Sequence, residues 1–418
     1  MKDYLKGIDS KMRRIILIIC ISLSLVVCGC RGDKMADIYN DNGVEIINID
    51  GLSSNITLNL SDIYSEIEYI PLESTEASQV GRIESLESTK NGEFLVFDKR
   101  NGKVVLFDEN GKYMNNIGCR GHGPAEYLSP EIVRYNAFTN QVIIYDGMKH
   151  ALLHYNMGGE LVSNTTLHKY IRNFGVIDST HYAIYANHFD KVSTGETAYN
   201  LEIINNEGHV LKQFEPYNAD KMNFNPPANY VFWQNDGKLL YIKPYYSYVY
   251  FVTKDKIAPL FHIDYGTEQF SVEWLDNCVS VDDIENKMAE NKYSDLWFFG
   301  ESSNKYYMEI NYANDALLTV VVDKREGHNI NMGDILNNDI LGLVSSMPMH
   351  IANDKVYGVI DPDEFCKFEE KLGNPQICQS FCDDYKKVNG YTISDKDKYV
   401  VKTLSKSLNP IIQVCSLK

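Results

Sequence analysis

Residues 94–117 read FLVFDKRNGKVVLFDENGKYMNNI, and this stretch decides the fold. It contains two apolar runs that each end in aspartate, Phe94–Asp98 and Val104–Asp108, with a turn at Asn101-Gly102 between them. A second Asn-Gly pair leads into a third run, Lys112–Ile117. Asn-Gly pairs between apolar runs favour tight hairpins, because both central residues of a type I′ turn need positive φ. The stretch therefore predicts three consecutive antiparallel strands.

The same hairpin unit recurs along the chain, so repetition is the main sequence signal. First strands of successive hairpins start roughly 40 to 67 residues apart, which is typical of propeller blades with loop insertions. One more apolar run precedes each hairpin, and six units of four strands predict an all-β, six-bladed β-propeller. A large β-sandwich or barrel, which also uses many short strands, is the alternative. The preceding runs are Ile83–Ser88, Ile132–Ala137, Phe174–Asp178, Val231–Gln234, Trp297–Gly300 and Leu341–Ser345.

The last repeat indicates how the ring closes. After Ile360, apolar residues at helical spacing predict a helical insertion over about residues 361–408, which Asn409-Pro410 ends. Ile411–Leu417 has the pattern of a strand, so the sixth blade has only three strands of its own. We expect the N-terminal segment Ile67–Leu72 to supply the fourth strand, because closing the ring removes open sheet edges.

The N-terminus has the pattern of a bacterial export signal. A basic segment precedes the apolar run Ile15–Cys28, which is too short to span a bilayer comfortably. The run leads into Val-Cys-Gly-Cys at residues 27–30, which resembles a lipobox with Gly29 before the lipid acceptor Cys30. An ordinary cleaved signal or an uncleaved anchor is the alternative.

These features divide the chain into three parts. Residues 1–30 are predicted to be a lipoprotein signal peptide, residues 31–43 a flexible tether, and residues 44–418 the propeller. The expected location is the bacterial cell envelope, on its periplasmic face or at the cell surface, with membrane attachment through the lipid alone.

Several motifs together resemble one known family. They are Ile67–Glu73 (IEYIPLE), Val80–Ile83 (VGRI), Gly121–Tyr127 (GHGPAEY) and Asn409-Pro410. Over about residues 44–418 the chain is similar to the six-bladed β-propeller lipoproteins abundant in Bacteroidetes. The resemblance implies the fold and the lipid anchor. It implies no particular reaction, because that family is recognised by its fold.

The Gly121–Tyr127 segment departs from the family pattern, Gly-x-Gly-Pro-Gly-Glu-Tyr, at Ala125. A position that needs positive φ would resist this change, so the backbone at Ala125 is expected to be either ordinary or locally altered. We interpret the segment as a structural clamp between blades one and two, with a ligand loop as the alternative. The clamp residues are Gly121, Gly123, Pro124, Glu126 and Tyr127.

The composition and motifs restrict the function. The formal net charge is −17, which disfavours generic nucleic-acid binding and is equally consistent with simple solubility. The sequence has no nucleophile elbow, no zincin motif, no P-loop and no dinucleotide fingerprint. Cys366, Cys378 and Cys382 lie in the insertion, where a disulfide from Cys366 to either of the others is plausible; free thiols are the alternative.

Topology predicts where ligands bind. Connections between blades and turns between second and third strands lie on one face, around the channel mouth, and the insertion emerges there as a shield or as a plug. We expect that face to carry the ligand-binding residues Arg100, His122, His150, Arg172, His188, Tyr245 and Tyr246.

Two functions follow from this placement. The first is a non-catalytic binding or scaffold protein of the envelope, without a cofactor, for a small-molecule, glycan or protein ligand. The alternative is a metal-assisted lyase or hydrolase of carbohydrate or peptide, with a divalent metal near His122, His150 and His188.

Overall fold

In the computed structural model of the chain, the first strands of six four-stranded antiparallel units contact one another in a closed ring. The remaining strands extend outward in chain order in the first five units, and in the sixth the outermost strand is N-terminal, which confirms the six-bladed β-propeller. The structure describes residues 37–41, 44–49, 56–187, 197–218, 230–235, 237–243, 246–266, 282–283, 286, 293–312, 316–324, 330–340 and 346–418.

The N-terminal elements precede the first blade in the chain, and their strands pair with strands of blades four to six or just beyond them. The first two strands add to the outer edge of blade four, and the third pairs with a short strand beyond blade five. These elements are β1 (Asp37–Asp41), β2 (Val44–Asn48), β3 (Thr57–Asn59), α1 (Leu60–Ile63) and β4 (Tyr64–Pro71).

Blades one to three follow directly along the chain, each with its first strand at the channel. Blade one comprises β5 (Ser85–Ser88), β6 (Phe94–Asp98), β7 (Lys103–Phe107) and β8 (Tyr113–Asn116). Blade two comprises β9 (Pro130–Asn136), β10 (Gln141–Asp146), β11 (Ala151–Asn156) and β12 (Leu161–Thr166). Blade three comprises β13 (Asn173–Val176), β14 (His181–Tyr185), β15 (Thr197–Asn205) and β16 (Val210–Asn218).

Blades four and five are each flanked by an extra pair of strands that includes an N-terminal strand. Blade four comprises β17 (Phe232–Asn235), β18 (Lys238–Ile242), β19 (Tyr248–Val252) and β20 (Ile257–Asp264), and β2 lies parallel to β20. Blade five comprises β21 (Tyr293–Glu301), β22 (Lys305–Tyr312), β23 (Ala316–Asp323) and β24 (Ile330–Gly333), and β25 (Ile335–Asn337) pairs with β3.

Blade six joins the two ends of the propeller. It comprises β26 (Pro348–Ala352), β27 (Lys355–Ile360), β28 (Ile411–Leu417) and, as the outer strand, β4. Strand β4 pairs antiparallel with β28, with Ile67 opposite Cys415 and Pro71 opposite Ile411. The predicted closure by an N-terminal strand is therefore confirmed, and the strand begins three residues earlier than expected, at Tyr64.

Apolar side chains between neighbouring blades form the core, and glycine lets two pairs of blades approach closely. A Cβ atom on Gly175 of β13 would lie 2.3 Å from Leu239 of blade four. On Gly300 of β21, it would lie 2.2 Å from Ile351 of blade six. These first strands can therefore contact their neighbours only because the two positions lack a side chain.

The insertion in blade six is helical, as predicted. It contains α2 (Pro362–Gly373), α3 (Cys378–Asn389) and α4 (Asp395–Leu404) between β27 and β28. The Asp361 side chain caps α2, and Ser394 with Asp397 forms a capping box at the start of α4. Phe365 is fully buried, and its ring lies 5.4 Å from that of Tyr69 on the closing strand.

Two sequence expectations differ from the structure. The first strand of blade six is Pro348–Ala352, so the prediction of Leu341–Ser345 is wrong; residues 341–345 lie outside the described part. The true strand is joined to β27 by Asn353 and Asp354, which both have positive φ, as a type I′ hairpin requires.

The second difference concerns the predicted tether, residues 31–43. Its residues Asp37–Asp41 form β1, which pairs antiparallel with Val44–Asn48. In the sequence, Asn42-Gly43 separates the two strands and is itself a hairpin signal. The edge of blade four offers this hairpin an unpaired strand, which explains why the segment is ordered as sheet.

Candidate functional site

A cavity of about 740 Å³ lies at the centre of the ring. Its walls are the first strands of the blades and the connections that enter them, including Gly81–Glu84 of blade one and Tyr230 of blade four. This volume is within the range of small-molecule sites in proteins. The cavity is therefore the candidate functional site.

An ion pair forms one side of the cavity wall. Arg134 Nη1 on β9 lies 3.2 Å from Glu87 Oε1 on β5, so the pair joins blades one and two. Glu87 Oε2 also accepts the Tyr135 N–H at 2.7 Å. Burial raises the pKa of Glu87, and the neighbouring Arg134 charge opposes that effect.

Arg134 continues the network into blade three. Its Nε donates to the Phe174 carbonyl at 3.2 Å, and its Nη2 donates to Asn173 Oδ1 at 3.1 Å. A guanidinium with partners on the two neighbouring blades, one and three, is held in one orientation. The charged side of the cavity is therefore preorganised.

His350 of β26 belongs to the same side of the cavity. Its Nε2 lies 3.1 Å from Ser88 Oγ, which links blades six and one. Burial and then the charge of Arg134 lower its pKa to about 4, so the ring is neutral at pH 7. Ser88 does not line the cavity, so this serine–histidine contact joins two blades and does not present a nucleophile to the cavity.

Aromatic residues form the opposite wall. The Tyr230 ring lies 5.8 Å from the Trp233 ring at an interplanar angle of 10°, and 4.9 Å from the Trp297 ring. All three line the cavity, and Tyr230 is 39 % exposed. Blades four and five thus present a continuous aromatic surface, which we call the aromatic wall.

Two buried polar atoms of blade four lie beside this wall without partners. Within the described part of the chain, Trp233 Nε1 and Gln234 Oε1 make no hydrogen bond. An unsatisfied buried polar atom costs about 1–3 kcal/mol, and such exceptions in native structures call for an explanation. Both residues line the cavity through their other atoms, so these two polar atoms lie just behind its surface.

Charges around the cavity balance. Among the described lining residues, four are basic and four are acidic. Burial raises the pKa of Tyr230. The negative charge of Glu84 raises it further, whereas the positive charge of Arg82 lowers it. Arg82 and Glu84 of blade one therefore lie near the aromatic wall across the mouth. The charged lining residues are Arg82, Lys99, Arg134, Arg172, Glu84, Glu87, Glu131 and Asp361.

The seven predicted ligand-binding residues do not all meet at this cavity. Arg172 lines it, whereas Arg100, His122, His150 and Tyr246 do not. His188 and Tyr245 lie outside the described residues.

His150 and Tyr246 make contacts outside the lining of the cavity. The exposed His150 lies in the β10–β11 turn, with its ring 6.3 Å from that of Tyr170. Tyr170 donates to Glu131 Oε2 at 2.7 Å and also hydrogen bonds to Arg172. Tyr246 instead lies under the Lys243 ammonium, 4.2 Å from the ring centroid to Nζ.

The Gly121–Tyr127 loop makes its contacts with blades one and two. Tyr127 is buried, and the Ala125 carbonyl accepts a hydrogen bond from Tyr155 at 3.0 Å. Glu126 Oε2 accepts the Gly123 N–H at 2.7 Å and would lie 2.0 Å from a Cβ on Gly121, so the loop requires glycine there. Ala125 is not among the described residues with positive φ, so its backbone is ordinary.

The helical insertion packs beside the cavity mouth. Its ends, Asp361 and Pro410, line the cavity, but no residue from 362 to 409 does. The helices of the insertion therefore neither plug nor line the cavity; they cover the end of blade six through Phe365, Val401 and Leu404.

The preferred disulfide of the insertion is not formed. Cys366 donates its thiol to the Ser405 carbonyl at 3.1 Å, and Cys378 and Cys382 hydrogen bond to each other on α3. Cys366 is thereby directed toward α4, whereas the other two cysteines share one face of α3, four residues apart.

Two features are absent from the part of the chain that the structure describes. No three side chains of His, Cys, Asp or Glu are grouped so that they could hold a metal ion. In the same part of the chain, no helix has the length and hydropathy needed to cross a bilayer.

Fold and site together define a six-bladed β-propeller with a ligand-sized central cavity, one side charged and the other aromatic. The chain belongs to the family described as Domain of unknown function (DUF4934), whose model matches residues 44–416. Comparison with curated proteins finds no match.

Two of the similar solved structures come from Bacteroides. A Bacteroides fragilis protein that is described as exported is 14% identical, with a TM-score of 0.67 over 89% of this chain and 99% of that one. This similarity shows the shared fold. A Bacteroides vulgatus protein of the duf4221 family is 13% identical, with a TM-score of 0.48 over 85% of this chain and 97% of that one.

Proposed function

We propose that this protein is an exported, lipid-anchored binding protein whose central cavity holds a segment of uncharged carbohydrate. The observation that carries the proposal is the aromatic wall formed by Tyr230, Trp233 and Trp297 on one side of a cavity of about 740 Å³. The Val-Cys-Gly-Cys pattern at residues 27–30, outside the described residues, supports the anchor.

The chemistry of the two walls supports carbohydrate as the ligand class. A sugar ring has an apolar C–H face, which packs against an aromatic ring, and a rim of hydroxyl groups, which need hydrogen-bonding partners. The aromatic wall offers the first surface. Arg82, Glu84 and Arg172 at the mouth offer planar charged groups, which make stronger hydrogen bonds than neutral ones.

The charge balance favours an uncharged ligand. Four basic and four acidic side chains line the cavity, and the neutral His350 adds no charge. A strongly anionic or cationic ligand would meet as many repulsive as attractive groups.

Binding to a panel of neutral and uronic-acid-containing oligosaccharides, measured by calorimetry and tryptophan fluorescence, tests this function. The chain has three tryptophans, and two line the cavity, so a bound sugar should change the emission. Trp297→Ala should weaken binding by at least about tenfold, which corresponds to about 1.4 kcal/mol. Tyr399→Ala, at an aromatic residue that is 72% exposed on the insertion, should change nothing.

Two results would contradict the proposal. One is that no neutral oligosaccharide binds, or that acidic ones bind more tightly. The other is that an oligosaccharide binds equally well to the wild-type protein and to the Trp297→Ala variant.

A further inference from the structure

A second cavity, of about 360 Å³, lies between blades five and six. It shares Met347 and Pro348 with the central cavity as a common wall but has its own lining of side chains. Leu60, Leu317 and Val356 give it apolar surfaces. The site is therefore separate from the aromatic wall and independent of the proposed function.

The polar group at the centre of this cavity is the Glu309 carboxylate. Glu309 lies on β22, is only 3% exposed and lines the cavity. Its Oε1 accepts a hydrogen bond from the Tyr307 hydroxyl at 2.8 Å, and the Thr319 hydroxyl lies 3.0 Å from each of its oxygens. Both partners are uncharged, so they satisfy hydrogen bonds and leave any negative charge uncompensated.

No described residue that lines this cavity is basic. The second carboxylate of the lining, Asp334, accepts the Ile56 N–H at 2.6 Å. Burial of an ionised carboxylate is costly unless a cation pairs with it. The cavity therefore combines space, negative charge and no cation of its own among the described residues.

Aromatic rings add to the attraction for a cation. Tyr64 and Tyr307 line the cavity, and their rings stack with centroids 6.4 Å apart at an angle of 18°. The face of an aromatic ring attracts an ammonium group, most strongly where water is excluded. A buried carboxylate beside aromatic rings is a suitable environment for an organic ammonium group.

We propose that this second cavity binds a small organic cation, an ammonium group on an apolar body, with Glu309 as its counter-ion. The ammonium would lie between the Glu309 carboxylate and the tyrosine rings, and the apolar body would pack against the leucine and valine side chains. Calcium or magnesium fits less well, because each of these ions takes about six or more oxygen ligands.

The titratable groups that face Glu309 predict how binding depends on pH. Burial raises the pKa of Glu309 to about 7, although the hydrogen bonds from Tyr307 and Thr319 act to lower it. Burial also raises the pKa of Cys415 to about 12 and keeps Tyr64 and Tyr307 neutral. An ammonium ligand pairs with the ionised carboxylate, so its affinity should rise between about pH 6 and about pH 8.

Calorimetric titration of the full chain with butylammonium and with its uncharged analogue 1-butanol tests the proposal. Butylammonium should bind at least about tenfold more tightly, and more tightly at the higher pH. Glu309→Gln preserves the shape and a hydrogen-bond acceptor but removes the charge, so it should abolish this preference. Glu160→Gln, in an exposed turn, should leave it unchanged.

Equal affinity for butanol and butylammonium would overturn the proposal, because the cavity would then be merely apolar. It would also be overturned if butylammonium failed to bind at millimolar concentrations, or if calcium bound there in its place. If Glu309→Gln does not fold, the pH dependence of butylammonium binding to the wild-type protein tests the proposal instead. An affinity that does not change between about pH 6 and about pH 8 would contradict a role for Glu309. Trp297→Ala should not affect butylammonium binding, which separates this site from the central cavity.

Discussion

The side chain of Asn409 hydrogen bonds to the backbone of Val80, 329 residues earlier in the chain, with 3.0 Å between Asn409 Oδ1 and the Val80 nitrogen. The Nδ2 of the same side chain donates to the carbonyls of Glu73 at 2.9 Å and Ser78 at 3.0 Å. One fully buried amide thus ties the end of the helical insertion to the loop between the closing strand and blade one. This explains why a polar residue precedes Pro410 at the start of β28.

Replacement of Asn409 should therefore destabilise the closed ring. Asn409→Ala removes three hydrogen bonds and leaves buried backbone groups without partners, which should cost roughly 2–4 kcal/mol in the free energy of unfolding. Chemical denaturation measures the change. Asn110→Ala in an exposed turn should shift the stability by no more than about 0.5 kcal/mol. Similar losses for the two variants would show that Asn409 does not hold the ring closed.

Strand β28 should matter far more than the N-terminal segment. Deletion of residues 411–418 exposes edges on β27 and β4 and removes the buried Ile411, Ile412 and Val414. Each such side chain contributes about 1.5–3 kcal/mol, so the melting temperature should fall much further than after deletion of residues 31–43. Equal melting temperatures for the two deletions would contradict the closure.

Because Arg134 and Glu87 form an ion pair, substitutions at the two positions should have non-additive effects on the free energy of unfolding. Arg134→Met leaves Glu87 buried without its cation and should destabilise the protein by about 3–5 kcal/mol. Adding Glu87→Gln to that variant should restore part of the loss, because no charge then remains buried. Denaturation of the two single variants and the double variant measures the coupling. Strictly additive effects would mean that the two side chains do not interact.

Glu309 predicts a specific dependence of stability on pH. Burial raises its pKa from 4.5 to about 7 in the folded protein, so the folded state holds this proton over a range in which the unfolded chain has released it. Its contribution is fully present below about pH 4.5 and is lost as the pH rises to about 7.

The matched variant isolates this effect from all other titrating groups. The stability of the wild-type protein relative to Glu309→Gln should fall by roughly 3 kcal/mol between about pH 4.5 and about pH 7.5. Denaturation of both proteins across that range provides the measurement. A constant difference would show that Glu309 titrates as an ordinary exposed carboxyl group does.

The proposed anchor depends on one thiol. Cys30→Ala should yield an unprocessed or soluble protein, because the lipid acceptor is missing. Membrane fractionation and metabolic labelling with a fatty acid measure both properties. Gly32→Ala, two residues beyond the acceptor, is the control. Normal membrane partitioning of a processed Cys30→Ala protein would rule out this anchor.

The fold could be predicted because its signals are local. Hairpins such as Phe94–Asp98 with Lys103–Phe107 are specified by Asn-Gly turns and apolar runs. Blade six has only three strands of its own in the C-terminal part of the chain, so the N-terminal strand β4 was the natural candidate for the fourth. The Asn353-Asp354 turn was the exception, because positive φ at residues other than glycine leaves a weaker sequence signal.

The site was harder to predict because it depends on which side chains converge. The seven predicted ligand-binding residues lie in turns and connections, where polar residues stand out in a sequence. Of the five that the structure describes, only Arg172 lines the central cavity. The walls come from the first strands of the blades, and the sequence placed all of these except that of blade six. Their aromatic residues, such as Trp233 and Trp297, also suit a buried core. Only the ring geometry shows that they face a cavity.

The most direct test of the central claim is a crystal structure of the protein with a neutral oligosaccharide that it binds in solution. We predict electron density for a sugar ring packed on Trp297 or Tyr230, with its hydroxyl groups within hydrogen-bonding distance of Gln234 or Arg172. An oligosaccharide bound on the outer rim or on the helical insertion, with the central cavity empty, would contradict the account.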